Sequence, residues 1–240
     1  MIQIIDLLAY IEVQSNEKDM VRPALERARE DIKNAGVDVI ESSMEDVTKH
    51  KDAYSGVLEM EMRTDIKHYV TMAMIYAPTS IDILAGDLLL DKREFLETLG
   101  DVSNLMRKLM EDLDMAFNVV PQVIERKFDE EREYIPLTIF CEVKGEEEKI
   151  KEQAELVFAD SRAFIDKMKI RKSEGGDMLG IVGLFPDLES VFETTAKMTP
   201  VAFSTDEEEI AFSMRDVQVI GMSLASLTSE VATKKVSMSF

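Results

Sequence analysis

The sequence has very few of the residues from which most catalytic and metal sites are built. Its 240 residues include one cysteine, two histidines and no tryptophan. A single cysteine excludes a disulfide framework, and two histidines cannot supply a histidine-rich metal site. Cys141 lies in an apolar run, where a thiol behaves as a small buried hydrophobe more often than as a nucleophile. We expect His50 to lie in a polar loop and His68 at the start of a strand.

Positive charge is also scarce. Lysine and arginine total 28 against 48 acidic residues, which gives a net charge of −20. Nucleic acids and anionic membranes attract proteins mainly through lysine and arginine, so both partners are disfavoured. The densest basic segment is short and contains Lys167, Lys169, Arg171 and Lys172. The sequence therefore predicts neither a nucleic-acid-binding nor a membrane-binding protein.

Long hydrophobic runs are missing as well. No apolar run approaches the roughly 18 residues that a membrane-spanning helix needs. The N-terminal segment lacks the basic start of a secretory signal and meets Asp6 and Glu12 early. Together with the single cysteine, these features predict a cytoplasmic protein.

Short motifs with a known chemical mechanism are absent. The sequence has no G-x-x-x-x-G-K-[ST], G-x-G-x-x-G, H-E-x-x-H, C-x-x-C or G-x-S-x-G. Carboxylates are so numerous that any fold brings some of them together, so their proximity is weak evidence for acid–base or metal chemistry. We therefore assign no catalytic residue and no metal ligand, and the sequence names no cofactor.

Hydrophobic periodicity predicts an α+β protein. Helices are predicted over residues 17–34, 91–113 and 146–170, with a short one after Pro186. Strands are predicted over residues 6–13, 57–63, 69–76, 81–84, 119–124, 135–143 and 181–185. The C-terminal part is predicted to be rich in strands, over residues 201–203, 210–214, 217–224 and 231–240.

Two of the predicted helices carry long apolar seams. In residues 91–113 and 146–170, apolar side chains recur at alternating spacings of four and three. Such a seam is typical of a helix that packs on a sheet. It is also compatible with a homodimer formed through helix 91–113 or helix 146–170.

The chain is predicted to have two α/β halves. The charged segment 125–133 is the candidate boundary, between residues 1–128 and residues 134–240. Residues 7–24 align without a gap on residues 137–154, with five identities. If the alignment reflects duplication, each half is a ferredoxin-like βαββαβ unit with a mixed or antiparallel sheet covered by long helices. The strands predicted in residues 201–240 do not fit a perfect copy.

One segment has unusual local composition. Four of the ten glycines, Gly175, Gly176, Gly180 and Gly183, lie within nine residues, with Asp177 among them. Glycine permits positive φ and close approach of a backbone to a ligand, and a helix that begins near Pro186 could attract an anion. These five residues are the candidate ligand-binding site. The alternative is a mobile hairpin or lid between a long helix and a strand.

Three functions are compatible with this sequence. The first is a non-catalytic ligand-binding or regulatory protein that acts through a pocket or interface between its halves and binds a small ligand or a protein partner. Its inferred topology resembles that of two-copy ferredoxin-like sensor domains. The second is a carboxylate- and Mg²⁺-dependent enzyme that acts on a small anionic substrate near Gly175–Gly183. The third is a scaffold or assembly component.

Overall fold

The computed structural model describes residues 3–112, 128–129, 131–173 and 176–238, with the side chains of 234–238 excepted. The described helices are α1 (Lys18–Asn34), α2 (Ile66–Tyr76), α3 (Lys92–Asp112), α4 (Glu147–Asp160), α5 (Leu188–Met198) and α6 (Met214–Met238). The described strands are β1 (Ile5–Ser15), β2 (Asp38–Met44), β3 (Thr48–His50), β4 (Ala53–Thr64), β5 (Ser80–Ala85), β6 (Leu88–Asp91), β7 (Ile135–Val143), β8 (Phe164–Arg171), β9 (Asp177–Phe185), β10 (Ala202–Ser204) and β11 (Glu209–Phe212).

The chain forms two compact units that are not contiguous in sequence. The first unit comprises Met1–Leu89 and Ala211–Ser229, and the second comprises Leu90–Ile210 and Glu230–Phe240. The segment 125–133, which the sequence marks as a boundary, falls inside the range of the second unit. The predicted strand at 119–124 lies outside the described residues.

The first unit is built on an antiparallel sheet with the strand order β2-β4-β1-β5, and β3 pairs with β4. Without β3, the chain order β1-α1-β2-β4-α2-β5 is the ferredoxin-like βαββαβ order. Alternate residues of the central strands point to the core, as period-two strands require. These core residues are at most 2% exposed: Ile5, Leu7, Ala9, Ile11, Leu58, Met60 and Met62.

The second unit repeats this plan. Its chain order is β7-α4-β8-β9-α5-β10, and its strand order is β10-β7-β9-β8. Matching β7 to β1, β8 to β2, β9 to β4 and β10 to β5 makes the two sheets topologically identical, and the described pairings are antiparallel. The expectation of an α+β protein made of duplicated ferredoxin-like units is confirmed.

The duplication continues beyond the sheets. Each βαββαβ segment is followed by a short strand and a long helix, β6-α3 in the first copy and β11-α6 in the second, and β6 pairs with β11. Buried positions of the two helices correspond at a constant spacing of 122 residues. The buried pairs are Phe95 and Val217, Thr98 and Ile220, Leu99 and Gly221, Val102 and Leu224, Ser103 and Ala225, and Met106 and Thr228.

The two long helices are exchanged between the units. Helix α3 follows the first sheet in sequence but belongs to the second unit, whereas α6 follows the second sheet and contributes residues 214–229 to the first unit. In the second unit, the Phe95 ring of α3 packs edge-on to Phe192, and the Ser103 hydroxyl donates to the carbonyl of Pro200 at 2.6 Å. In the first unit, the Tyr69 hydroxyl donates to the carbonyl of Val217 in α6 at 2.8 Å.

The C-terminal strands predicted at 217–224 and 231–240 are wrong, because the described part of this region is helix α6. The segment is apolar at 217, 219, 220, 224 and 225, and such a run fits either a buried strand or a buried helix. Its helix start is marked by Ser213, whose backbone N–H and hydroxyl bond the carboxylate of Asp216. The residues predicted as surplus strands, which did not fit a duplication, therefore belong to helix α6, the second copy of α3.

The predicted strand at 69–76 is also wrong, since these residues form most of helix α2. The Asp65 carboxylate caps the helix by accepting from the His68 backbone N–H at 2.9 Å, and Ala77 ends it in the left-handed region at φ 41°. The helix is covered on several sides, so apolar residues occupy consecutive positions and hide the helical period. Met72 and Met74 are both buried, although their spacing of two mimics a strand.

The predicted helix 146–170 is half right. Helix α4 ends at Asp160, Arg162 adopts a left-handed φ of 63°, and strand β8 begins at Phe164. The apolar residues Phe164 and Met168 fit the spacing of a helical seam. The segment is nevertheless a strand, because it pairs with β9. The helix predicted at 91–113 is confirmed as α3 over its described part.

The apolar seams of both helices face the interior. Phe95, Leu99, Val102 and Met106 of α3 are fully buried, and the seam of α4 is buried at Ile150, Ala154, Val157 and Phe158. Leu109 of the α3 seam is half-buried, and Leu113 lies outside the described residues. The homodimer through helix 91–113 or helix 146–170 stays a prediction, which the buried parts of the seams do not favour.

Candidate functional site

The glycine cluster does not form one loop. Gly180 and Gly183 lie within strand β9, Asp177 is its first residue, and Gly176 occupies the turn before it with φ 130°. Gly175 lies outside the described residues. The expectation of a hairpin at this position holds only for the turn between β8 and β9.

One of the glycines has a packing role. A Cβ atom at Gly183 would lie 2.6 Å from the Phe185 ring and 2.7 Å from the Phe158 ring, so its hydrogen side chain makes room for both rings. A Cβ atom at Gly180 would lie 3.5 Å from the Phe140 ring, which is an ordinary van der Waals contact. Packing therefore explains Gly183 without a bound ligand.

The N-terminus of the helix after Pro186 is capped by a carboxylate of the chain. The Asp187 carboxylate caps α5 by accepting from the Ser190 backbone N–H at 2.8 Å and from the Ser190 hydroxyl at 2.6 Å. Arg162 in turn pairs with Asp187 and Glu189. One of the N–H groups that were expected to attract an anion, that of Ser190, is thus already engaged by a carboxylate of the chain.

A cavity of about 370 Å³ lies in the second unit between α4, the end of β7 and the C-terminal end of α5. This volume is within the range of small-molecule sites in proteins. Its lining consists of Glu142, Val143, Lys144, Ile150, Gln153, Ala154, Leu156, Val157, Leu179, Lys197 and Met198. We call it the α4 cavity.

The α4 cavity lies where the two copies differ in side-chain size. Buried positions of α1 recur in α4 at a spacing of 129 residues, which pairs Val21 with Ile150, Leu25 with Ala154 and Ala28 with Val157. A leucine of the first unit is therefore an alanine in the second. The two neighbouring pairs differ in the opposite sense, since Ile150 and Val157 are larger than Val21 and Ala28. The copies therefore differ in where the side-chain volume lies along the helix and not in its total.

The walls of the cavity are apolar and its rim is polar. Ile150, Ala154, Val157 and Leu179 are all at most 9% exposed, whereas Glu142, Lys144 and Gln153 are exposed to solvent. A cavity of this kind can hold an apolar group inside and a polar group at its mouth.

Lys197 contributes the aliphatic part of its side chain to the cavity lining, but its ammonium group is paired. Its side chain is only 7% exposed, and its Nζ lies 2.8 Å from Asp160 Oδ2 and 3.6 Å from Glu193 Oε2. The Nζ is also 3.4 Å from the Ser161 hydroxyl. Because two carboxylates neutralise the ammonium group, the charges available to a ligand are those of Glu142 and Lys144.

The family model named MJ0538 matches residues 6–238 of this chain. The chain belongs to the MJ0538 family. It is 25% identical over 253 residues to the uncharacterised protein MJ0538 of Methanocaldococcus jannaschii, and the match covers 95% of this chain and 97% of that protein. A crystal structure described as that of a glycine cleavage system transcriptional repressor shares 10% identity, covers 88% of this chain and 98% of its own, and has a TM-score of 0.22. A score this low does not establish a shared fold.

The cysteine of this MJ0538-family member is buried in β7. Burial raises the pKa of the Cys141 thiol to about 12, and the nearby Arg107 guanidinium only partly opposes this effect. The thiol faces the core and is 3% exposed. Its interpretation as a buried hydrophobe is confirmed.

We expect Cys141 to resist alkylation in the folded protein, because the thiolate is the reactive form and is scarce at neutral pH. Iodoacetamide labelling followed by intact-mass spectrometry should show little modification in buffer and complete modification in concentrated urea. Equal labelling rates in the two conditions would contradict this burial.

The histidines are far apart in the chain and differ in setting. His50 lies in the exposed strand β3, and His68 lies in the first turn of α2 with its Nδ1 2.8 Å from Asp65 Oδ2. Burial raises the pKa of Asp65, but hydrogen bonds from His68 outweigh this, so its pKa lies below the ordinary value. His68 therefore supports the cap of a helix and does not begin a strand.

Two further absences concern the part of the chain that the structure describes. No group of three or more histidine, cysteine, aspartate or glutamate side chains is arranged to hold a metal ion there. None of the helices in that part is both long enough and apolar enough to cross a membrane.

Proposed function

We propose that this MJ0538-family member is a non-catalytic binding protein and that its second unit holds a small molecule in the α4 cavity. The observation that carries the proposal is the cavity itself, with buried apolar walls and a rim that presents opposite charges. The ligand class that fits is a molecule with a compact apolar body and a polar end able to meet both a carboxylate and an ammonium group.

The apolar walls supply the main driving force. Ile150, Val157 and Leu179 present aliphatic side chains, and removal of apolar ligand surface from water contributes about 25 cal/mol per Å². Because the space exists beside Ala154 without any rearrangement, little ordering of the protein has to accompany binding.

The rim supplies orientation. Glu142 lies at the end of β7, Lys144 directly follows the strand, and Gln153 adds an amide from α4. A ligand with a donor and an acceptor at the same end can satisfy all three groups. A purely anionic ligand would meet the carboxylate of Glu142 as well as the ammonium of Lys144, which disfavours it.

The chemistry of the lining supports binding over turnover. The described lining residues include no histidine, cysteine, serine, threonine or tyrosine. Lys197 is held by two carboxylates, and Lys144 and Glu142 lie at the exposed rim, where no buried base is beside them to activate a nucleophile. On the described residues, no observation favours the magnesium-dependent enzyme at Gly175–Gly183.

The test is a cavity-filling substitution. Ala154→Leu restores the residue found at the equivalent Leu25 and should fill the α4 cavity, whereas Glu155→Leu adds the same side chain to the exposed side of α4. We expect aliphatic amino acids, more than branched short-chain carboxylates or purine bases, to raise the Tm of the wild type and of Glu155→Leu. The same compounds should leave the Tm of Ala154→Leu unchanged.

Two results would contradict the proposal. One is a ligand-induced rise in Tm that survives in Ala154→Leu, because binding would then occur elsewhere. The other is the absence of any response in the wild type to all three classes of compound.

A further inference from the structure

The first unit has a strongly acidic outer sheet face. Strand registers place residues 6, 8, 10 and 12 of β1 beside residues 63, 61, 59 and 57 of β4, on the side opposite the buried core. β2 and β5 extend the same rows at both edges. The acidic members of this face, which we call the acidic face, are Asp6, Glu12, Asp38, Glu41, Glu59, Glu61 and Asp82.

The negative charge of the acidic face is largely uncompensated. Arg63 is the basic residue in these rows, and its Nε bonds Asp6 Oδ1 at 2.7 Å. Glu41 and Glu61 are direct neighbours across β2 and β4, an arrangement that costs stability. The pKa of Tyr10, in the middle of the face, is raised by loss of solvation and by Glu59 and Asp82.

The outer sheet face of the second unit has the opposite character. In strand β8 the residues Lys167, Lys169 and Arg171 alternate on this side, with neighbouring side chains about 7 Å apart. The sequence prediction of a helix for this segment missed the alignment of these three side chains on one face. In a helix, the three charges would be spread around the circumference. We call this surface, together with the outward residues of β7 and β9, the basic face. It also contains Glu142 of β7, and Lys167 lies 3.6 Å from the carboxylate of the neighbouring Asp166.

Both faces have an apolar centre that remains partly exposed. On the basic face, Phe140, Val182 and Leu184 lie on the central strands β7 and β9. On the acidic face, Leu8 and Tyr10 occupy the centre of β1. An apolar centre with charged surroundings is the usual anatomy of a protein–protein interface.

We propose that the acidic face of one copy of this chain packs on the basic face of a second copy. The two surfaces are sheet faces of the same topology, they carry opposite charge, and each has apolar side chains left to bury. A second copy supplies a matching acidic sheet at equal concentration. Because each copy also carries a net charge of −20, the attraction has to act between the two faces at close range.

The test uses charge reversal on each face. The basic-face variant is Lys167→Glu/Lys169→Glu. The acidic-face variant is Glu41→Lys/Glu59→Lys/Glu61→Lys/Asp82→Lys, because four reversals are needed to make the net charge of that face positive. Sedimentation velocity at low salt should show association of the wild type, with dissociation as salt is raised. Each variant alone should associate at least about tenfold more weakly, since its two faces then carry the same sign. Circular dichroism verifies that both variants are folded.

Mixing the two variants is the decisive measurement. In a one-to-one mixture, every acidic face again meets a basic one, so association should return to near the wild-type level. Lys149→Glu and Glu155→Lys change the charge by the same sign on the exposed side of α4 and serve as controls that associate like the wild type.

Three outcomes would overturn the proposal. The first is a wild-type protein that stays monomeric at low salt, including one that instead binds a single-stranded RNA oligonucleotide through the basic face. The second is association that both charge-reversed variants retain. The third is a mixture of the two variants that remains as dissociated as each variant alone.

Discussion

Gly221→Ala is expected to destabilise the protein by about 3 kcal/mol, although alanine is the better helix former by about 1 kcal/mol. A Cβ atom at this position of α6 would overlap the Tyr69 hydroxyl oxygen and would lie 2.6 Å from Tyr69 Cζ and 2.9 Å from Ile81 Cδ1. Tyr69 is fully buried, and its hydroxyl is held by the Val217 carbonyl. The ring therefore cannot move aside without losing packing and a buried hydrogen bond.

Gly100→Ala is the matched control, because Gly100 lies inside helix α3 and a Cβ atom there meets nothing within 4 Å. This substitution should stabilise the protein by about 0.5–1 kcal/mol. Urea denaturation of both variants gives the two free energies of unfolding. Equal effects of the two substitutions would show that Gly221 does not lie against Tyr69.

Leu224→Ala and Leu99→Ala are each expected to cost about 3 kcal/mol, but in different units. Both leucines are fully buried. Leu224 belongs to the first unit although it comes near the end of the chain, and Leu99 belongs to the second unit although it directly follows the first sheet. Hydrogen exchange resolved by mass spectrometry should therefore speed up in β1 and β4 for Leu224→Ala and in β7 and β9 for Leu99→Ala.

This crossed pattern is specific to the exchange of α3 and α6 between the units. If each helix instead completed the unit it follows in sequence, Leu99→Ala would loosen β1 and β4 more than β7 and β9. Asn104→Ala, at an exposed position of α3, should leave exchange in all four strands unchanged and controls for the effect of substitution in that helix.

Local hydrophobic patterns were sufficient to predict an element where one of its faces is exposed to solvent. Strand β4 alternates between buried methionines and partly exposed glutamates, and α1 shows one apolar stripe, so both were predictable from period alone. Helices α2 and α6 were mistaken for strands because tertiary packing covers them on several sides and fills intermediate positions with apolar residues. Their capping residues, Asp65 and Ser213 with Asp216, were the only local signals that favoured a helix.

The candidate ligand site moved from the glycine cluster to the α4 cavity. Composition drew attention to Gly180 and Gly183, but both lie within strand β9, and Gly183 accommodates the rings of Phe158 and Phe185. The signal for the cavity was present in the internal repeat as the pairing of Leu25 with Ala154. It was hidden because the ungapped alignment pairs Ala24 with Ala154, and only the burial of both helices shows the shift by one residue.

The sequence by itself determined the class of the fold, the inert cysteine and the acidity that disfavours polyanionic partners, because each of these depends on composition or on a single local period. Tertiary structure decided which apolar segments became helices, which unit each long helix completes and how charges divide between two sheet faces. These features arise from pairing and packing between segments far apart in the chain, which no local window contains.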